Sequence, residues 1–167
     1  MLIALVCILI YITVRFEWRF AVGAIVALLH DVTITTGIFV FTGKEISAGV
    51  LAALLTIIGY SLNDTIIVFD RVRENFNKAL STPFVELVNI SINQTLSRTI
   101  LTSLTTLFVC VSLWLLGGGA IADLSFALVI GVLVGTYSSI FIACVAVVAL
   151  DRDFGQSSTK KELKKAA

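Results

Sequence analysis

Long apolar runs separated by short polar turns constrain this chain more than any other feature of its sequence. Three of them, residues 20–41, 47–69 and 121–150, are long enough to cross a bilayer as α-helix, which takes about 20 residues. Hydrophobic residues make up 58% of the 167 residues and charged residues 14%, whereas about 25% of a soluble domain is charged. The sequence therefore predicts an integral membrane protein whose outer solvent is lipid.

The runs predict an all-α fold, a polytopic transmembrane helix bundle of about five spans. The predicted spans are 1–14, 20–41, 47–69, 99–116 and 121–150. The first has only 14 residues, too few to cross a bilayer. Because it lacks the positively charged start and the cleavage site of a signal peptide, we interpret it as the end of a helix whose beginning is missing. The chain is therefore expected to be a fragment of a longer protein.

A cytoplasmic loop over residues 70–98 is predicted between the third and fourth spans. Within it, Thr82 and Pro83 resemble an N-cap followed by proline at the first helical position. Apolar residues then recur at the spacing of one helical face: Phe84, Leu87, Val88 and Ile92. This pattern predicts a short amphipathic helix that either lies on the membrane surface or packs against the bundle.

The distribution of Lys and Arg predicts the orientation of the bundle. If successive spans alternate in direction, eleven of the twelve basic residues fall on one side of the membrane and only Lys44 falls on the other. Cytoplasmic loops carry an excess of Lys and Arg. The basic side, including the lysine-rich tail of residues 151–167, is therefore expected to be cytoplasmic.

Four ionisable side chains within the spans or at their ends are the candidate functional residues. They are Asp31, Asp64, Arg98 and Asp123. A charge at the centre of a span costs about 2.5–3.5 kcal/mol on insertion scales. An ionisable residue at such a position therefore indicates a functional site. A membrane carboxylate that gains and loses protons meets the physical requirement for a proton relay, and the proton is the only coupling ion or cofactor expected.

Each of these residues also has a simpler structural interpretation. Arg98 could extend its guanidinium to the cytoplasmic surface, and Asp123 could cap the last helix after the glycine run. Asp31 and Asp64 lie too deep for capping, so their simpler role is a structural hydrogen bond. Because Asp64 and Arg98 lie toward the cytoplasmic ends of consecutive antiparallel spans, we expect them to form a pair.

Small residues on the helix faces predict close packing between helices. In the third span, Gly59 is expected to allow close approach of a neighbour. The last span carries small residues at every fourth position: Ala127, Gly131, Gly135, Ser139 and Ala143. These residues are assigned to helix packing and not to chemistry.

No metal site is predicted. Cys7, Cys110 and Cys144 each lie in an apolar run and are interpreted as small hydrophobes. His30 has no cysteine or second histidine near it in the sequence, and the spacing of zinc ligands is absent.

Several stretches resemble, in order, the motifs of one known family. They are RFEWR at 15–19, HD at 30–31, GYSLNDT at 59–65, FDRVREN at 69–75, INQTLSRT at 92–99, and residues 131–139. In this order they resemble SecF, a protein-export membrane protein of the SecD/SecF family within the RND-like superfamily. The resemblance implies an RND/SecDF-like bundle.

The resemblance also implies a non-enzymatic accessory of bacterial protein export. Such a subunit works with SecD in the inner membrane and uses the proton gradient to help complete preprotein translocation through SecYEG, with YajC and YidC as candidate partners. By motif, the proton-pathway residues of the family map onto Asp64 and Arg98. Asp123 fits a further family carboxylate, and Asp31 matches the family's His-Asp pair.

The family pattern has six spans, with a periplasmic domain between the first and the second, so the spans here correspond to its helices two to six. The part that handles the preprotein is therefore expected to lie outside this chain. Two other function classes stay open, a purely structural subunit and an intramembrane aspartyl protease. The protease is disfavoured because no Gly-x-Gly-Asp motif is present, and Asp64 follows Asn63.

Overall fold

Four long helices make up the computed structural model, which describes Ile10 and residues 18–78 and 82–150. They are α1 (Trp18–Phe41), α2 (Ala48–Lys78), α3 (Phe84–Leu116) and α4 (Gly119–Ile140). After a turn at Phe141 the last helix resumes, so that its apolar span covers Gly119–Leu150. Each of the four is long and apolar enough to cross a membrane. The predicted all-α bundle is confirmed for these residues, whereas the tail 151–167 and, apart from Ile10, the predicted span 1–14 lie outside them.

The loop predicted over residues 70–98 is wrong, because most of it belongs to the two long helices. α2 continues to Lys78, and α3 begins at Phe84 and runs unbroken to Leu116, so no separate amphipathic helix exists there. Pro83 takes the N-cap position and not the predicted first helical position. At 1.5 Å per residue, the 31 residues of α2 extend about 46 Å, beyond the ~30 Å hydrocarbon core. Loss of apolar character therefore marks the membrane surface and not the helix end.

Polar side chains hold the projecting ends of α2 and α3 together. Arg71 Nε donates to Gln94 Oε1 at 2.7 Å, and Asn75 Nδ2 donates to Ser91 Oγ at 2.8 Å. Both helices therefore keep a tertiary partner where they leave the apolar region, and this supports their extension beyond the predicted spans.

α4 packs against all three other helices, and its small residues allow α2 to approach closely. A Cβ added at Gly131 would collide with the side chain of Ile57, and one added at Gly135 would lie 3.2 Å from Ser61 Cβ. Gly135 follows Gly131 by four residues, and its neighbour Ser61 follows Ile57 by four residues. α2 and α4 therefore run parallel.

The other residues predicted for packing divide between the inside and the outside of the bundle. Ala127 and Ser139 are fully buried. Gly59 is exposed, and a Cβ added there would meet no atom within 4 Å. Within the described part of the chain, Gly59 therefore has no packing neighbour, because this residue lies on the face of α2 that points away from α4.

Polar residues on α1 are buried between two apolar clusters. The first cluster contains Leu28 and joins the start of α1 to the later turns of α2, whereas the second contains Phe39 and joins the end of α1 to the start of α2. Asp31 and Thr35 lie between Leu28 and Phe39 and are both fully buried. The core is therefore apolar at both ends and polar in the middle.

Replacing Gly131 by Ala is expected to lower the free energy of unfolding by about 1–3 kcal/mol, because the added methyl group overpacks the contact with Ile57. The measurement is the melting temperature of the purified full-length protein in detergent. Gly59→Ala is the matched control, since it brings the same gain in helix propensity without a contact. Equal melting temperatures for the two variants would contradict the α2–α4 packing.

Candidate functional site

Asp64 is buried on α2 with one carboxylate oxygen unpartnered. Its side chain is 2% exposed, and Oδ2 has no hydrogen-bond partner among the described residues. Tyr60, one turn earlier, donates to Ser103 Oγ on the antiparallel α3 at 3.4 Å. This register places Thr99, one turn from Ser103, level with Asp64. Thr99 is 1% exposed, and its buried hydroxyl is also unpartnered within the described ranges, so two orphaned polar groups lie at one level of the bundle.

Arg98 does not form the direct pair with Asp64 that the sequence leads us to expect. The two side chains make no ion pair within 4 Å, although Arg98 lies close enough for its charge to attract the Asp64 carboxylate. The reason is helical phase: Thr99 points into the bundle, and Arg98, one residue earlier, is exposed on the outside. The two charges therefore interact across a gap.

An exposed polar strip runs along α2 and α3 beside this gap. It consists of Gly59, Asn63, Arg98, Thr102 and Thr105, all of which are exposed. The Thr102 and Thr105 hydroxyls donate to carbonyl oxygens of their own helix at 3.0 Å. The side chains of Asn63 and Arg98 make no hydrogen bond within the ranges described. In a span, such groups are costly against lipid and normally face protein or water.

Asp31 lies at the junction of three helices. Its side chain is 0% exposed, Oδ2 accepts a hydrogen bond from Ser61 Oγ at 2.5 Å, and Oδ1 lies 3.1 Å from His30 Nδ1. Ser61 in turn faces Gly135 on α4. Unlike Asp64, this carboxylate has a partner for each oxygen.

Asp123 forms an ion pair with Lys44 at the opposite end of the bundle from Arg98. Lys44 Nζ also lies 5.5 Å from the centre of the Phe126 ring, a cation–π contact. Gly118 is the N-cap of α4, so the capping role considered for Asp123 is wrong. The pair is partly solvated, with the two side chains 35% and 40% exposed.

Sequence reasoning missed the partners of the carboxylates. Ser61 and Thr99 contact or face the acidic residues but carry no signal of their own in an apolar run, and Lys44 stands out in its polar turn without any sign that its partner is Asp123. Ser61 precedes Asp64 by three residues, and Thr99 follows Arg98 directly. A short polar residue on the same helical face as a membrane carboxylate is the pattern that could have identified Ser61.

The described ranges contain no group of three His, Cys, Asp or Glu side chains that could hold a metal ion. Cys110 and Cys144 are buried free thiols, and Cys7 lies outside these ranges.

Long apolar helices around buried carboxylates define a multi-pass membrane protein, and comparison with known proteins agrees. A family model described as "Protein export membrane protein SecD/SecF, C-terminal" matches residues 1–153. The chain therefore belongs to the SecD/SecF family. This places it among protein-export proteins and not among enzymes.

The chain is similar to translocase subunits from several bacteria. It is 54% identical over 153 residues to protein translocase subunit SecF of Rhodothermus marinus, a match of 88% of this chain and 50% of that protein. It is 51% identical over 148 residues to protein translocase subunit SecDF of Thermus thermophilus, a match of 89% of this chain and 20% of that protein. The chain thus spans about half the length of the SecF proteins it matches.

The fold is similar to solved structures of SecDF. The crystal structure of SecDF in super-membrane-facing form matches 92% of this chain and 21% of its own chain, with a TM-score of 0.86 and 49% sequence identity. A second crystal structure, of SecDF from Thermus thermophilus, gives the same TM-score of 0.86 at 50% identity. The RND/SecDF-like bundle expected from the motifs is therefore confirmed.

Exchanging the charges of the outer ion pair tests the partnership of Lys44 and Asp123. Asp123→Lys is expected to lower the stability of the full-length protein, because two cations then face each other. The double variant Lys44→Asp with Asp123→Lys restores the attraction, with a coupling of about 0.2–1 kcal/mol for a partly exposed pair. Melting temperatures of the two single variants and the double variant give this coupling, and strictly additive effects would exclude the pair.

Proposed function

We propose that this chain is the membrane part of a SecF-type subunit that couples proton flow to late steps of preprotein translocation. In this proposal it works with SecD and SecYEG in the bacterial inner membrane, with its C-terminus in the cytoplasm. Membership of a protein-export family supports the transport role, and the excess of basic residues on one side supports the orientation. The observation that carries proton coupling is the buried carboxylate of Asp64, whose Oδ2 has no partner among the described residues, beside the charge of Arg98.

Asp64 and Arg98 form the working pair in this mechanism. When Asp64 is ionised, its charge attracts Arg98 across the gap, and when it is protonated this attraction ends. The unpartnered Oδ2 can then exchange a hydrogen bond with the Thr99 hydroxyl on the same level. A proton arriving at Asp64 thus changes the force between α2 and α3 without any covalent step.

The membrane potential supplies enough energy for such a movement. One elementary charge crossing 100 mV releases about 2.3 kcal/mol. This energy is available each time a proton crosses, and protonation of Asp64 removes the charge that attracts Arg98. Repeated protonation would move α3 relative to α2 in each cycle.

The polar strip is where we place SecD. The strip leaves Asn63 and Arg98 on the outside of the bundle, and α3 as a whole is the least buried of the four apolar helices. The Thermus thermophilus relative is named as a SecDF subunit, which joins both parts in one protein. A second helical bundle that covers the strip would remove Arg98 from lipid and enclose the path to Asp64.

The decisive variants are Asp64→Asn and Arg98→Gln in the full-length protein assembled with SecD. Each is expected to reduce gradient-stimulated preprotein export by about tenfold or more, because the charge that responds to the proton or to its partner is gone. Export that remains after collapse of the gradient should not change. The measurement is preprotein transport into inverted vesicles with and without an imposed proton gradient.

Controls separate a loss of coupling from a loss of assembly. Arg73→Gln and Glu45→Gln remove exposed charges away from Asp64 and Arg98 and should leave the stimulation intact. Co-purification with SecD shows whether each variant still assembles. If both Asp64→Asn and Arg98→Gln assemble and keep full stimulation, the chain is a structural subunit and proton coupling through these residues is wrong.

A further inference from the structure

Ser61 occupies a position in which α2 is held from both sides. On one side its hydroxyl donates to Asp31 Oδ2 of α1 at 2.5 Å, within a region where both side chains are almost completely buried. On the other side, a Cβ built on Gly135 of α4 would lie 3.2 Å from Ser61 Cβ and 3.4 Å from Ser61 Oγ. α2 therefore has little room to rotate at this level unless the hydrogen bond to Asp31 breaks.

The direction of Asp64 depends on this contact. Ser61 and Asp64 are three residues apart on one helix, so they lie on neighbouring faces about one turn apart. A rotation of α2 that moves Ser61 must move Asp64 by the same angle. The contacts that fix the position of Ser61 therefore also determine whether the Asp64 side chain points toward Thr99 and the charge of Arg98.

Asp31 is better suited to holding a partner than to passing a proton on. Both of its oxygens have partners, whereas Asp64 keeps one oxygen unpartnered. On α1, Asp31 lies between the two apolar clusters, which separate its level from both ends of the bundle. The titratable or charged groups around this level are His30 on α1, Tyr60 and Asp64 on α2, and Arg98 on α3, while the part of α4 that faces Ser61 brings no charged side chain.

We propose that Asp31 is a positioning residue, which through its hydrogen bond to Ser61 sets the rotation of α2 and thereby the direction of Asp64. This inference rests on the proposed coupling role of Asp64, and it gives Asp31 a part other than carrying protons. It requires an acceptor oxygen at residue 31 and a hydroxyl at residue 61. It does not require that residue 31 carry a charge.

Two isosteric changes separate positioning from proton transfer. Asp31→Asn keeps an acceptor oxygen for Ser61 and removes the titratable group, whereas Ser61→Ala removes the hydrogen bond and leaves the Asp31 carboxylate in place. In the full-length protein with SecD, Asp31→Asn should retain gradient-stimulated export within about twofold, at an unchanged pH midpoint. Ser61→Ala should reduce it several-fold and shift the midpoint, because even a small misplacement of a functional group is costly. Loss of stimulation in Asp31→Asn with retention in Ser61→Ala would overturn the proposal and make Asp31 a proton carrier.

A thiol at Gly59 reports the rotation of α2 independently of proton coupling. Gly59 is exposed, and a Cβ there meets nothing within 4 Å, so Gly59→Cys is tolerated without repacking. In the full-length protein purified without SecD, so that the polar strip is uncovered, and with the native cysteines replaced, Ser61→Ala should change the rate of N-ethylmaleimide labelling of this thiol several-fold, and Asp31→Asn should not. Equal rates in all three proteins would overturn the positioning role.

The two readouts keep this inference separate from the proposed function. If Asp64→Asn retains full export, proton coupling through Asp64 fails, and the labelling rates alone then decide whether Asp31 sets the rotation of α2. If Asp64→Asn abolishes stimulation while Ser61→Ala changes neither export nor labelling, the coupling role stands and the positioning role is wrong.

Discussion

Close contact between α2 and α4 is the constraint on which the rest of this bundle depends. Without a side chain at Gly131 and Gly135, α4 allows Ile57 and Ser61 to approach its backbone, and dispersion contacts take the place that the hydrophobic effect has in water. This approach brings Ser61 to the centre of the bundle, where Asp31 of α1 reaches its hydroxyl. Three helices are thereby joined at one level, by packing on one side and by a hydrogen bond on the other.

The polar level lies where the membrane makes unpartnered groups most expensive. Apolar clusters above and below it exclude water, so each polar side chain must find a partner inside the protein or remain unsatisfied. Asp31 is satisfied by His30 and Ser61. Asp64, one turn along α2, keeps an orphaned oxygen, and this is the property that a proton-responsive group needs and a structural one does not.

The charged residues of the spans therefore differ in their surroundings, although the sequence groups them together. Asp123 has a partly exposed partner in Lys44 near one end of the bundle. Asp31 is enclosed, and Asp64 is enclosed on one side with Arg98 beyond it on the open polar strip. A second bundle placed against this strip would bring the attraction between Asp64 and Arg98 into an interface between two bundles. A change in this attraction could then move one bundle relative to the other.

The sequence by itself determined the fold class, the number of apolar spans among the described residues, and the four ionisable positions within or next to them. Lipid imposes these features through length and apolarity, which a single chain displays directly. The tertiary structure decided where the helices end. The polar segment of α2 around Arg71 and Asn75 stays helical because side chains of α3 form hydrogen bonds with it. It also decided the partners: Asp31 with Ser61, Asp123 with Lys44, and Asp64 apart from Arg98. Spacing along a helix gives the face of each residue relative to its neighbours in sequence, but only packing sets which face meets which helix.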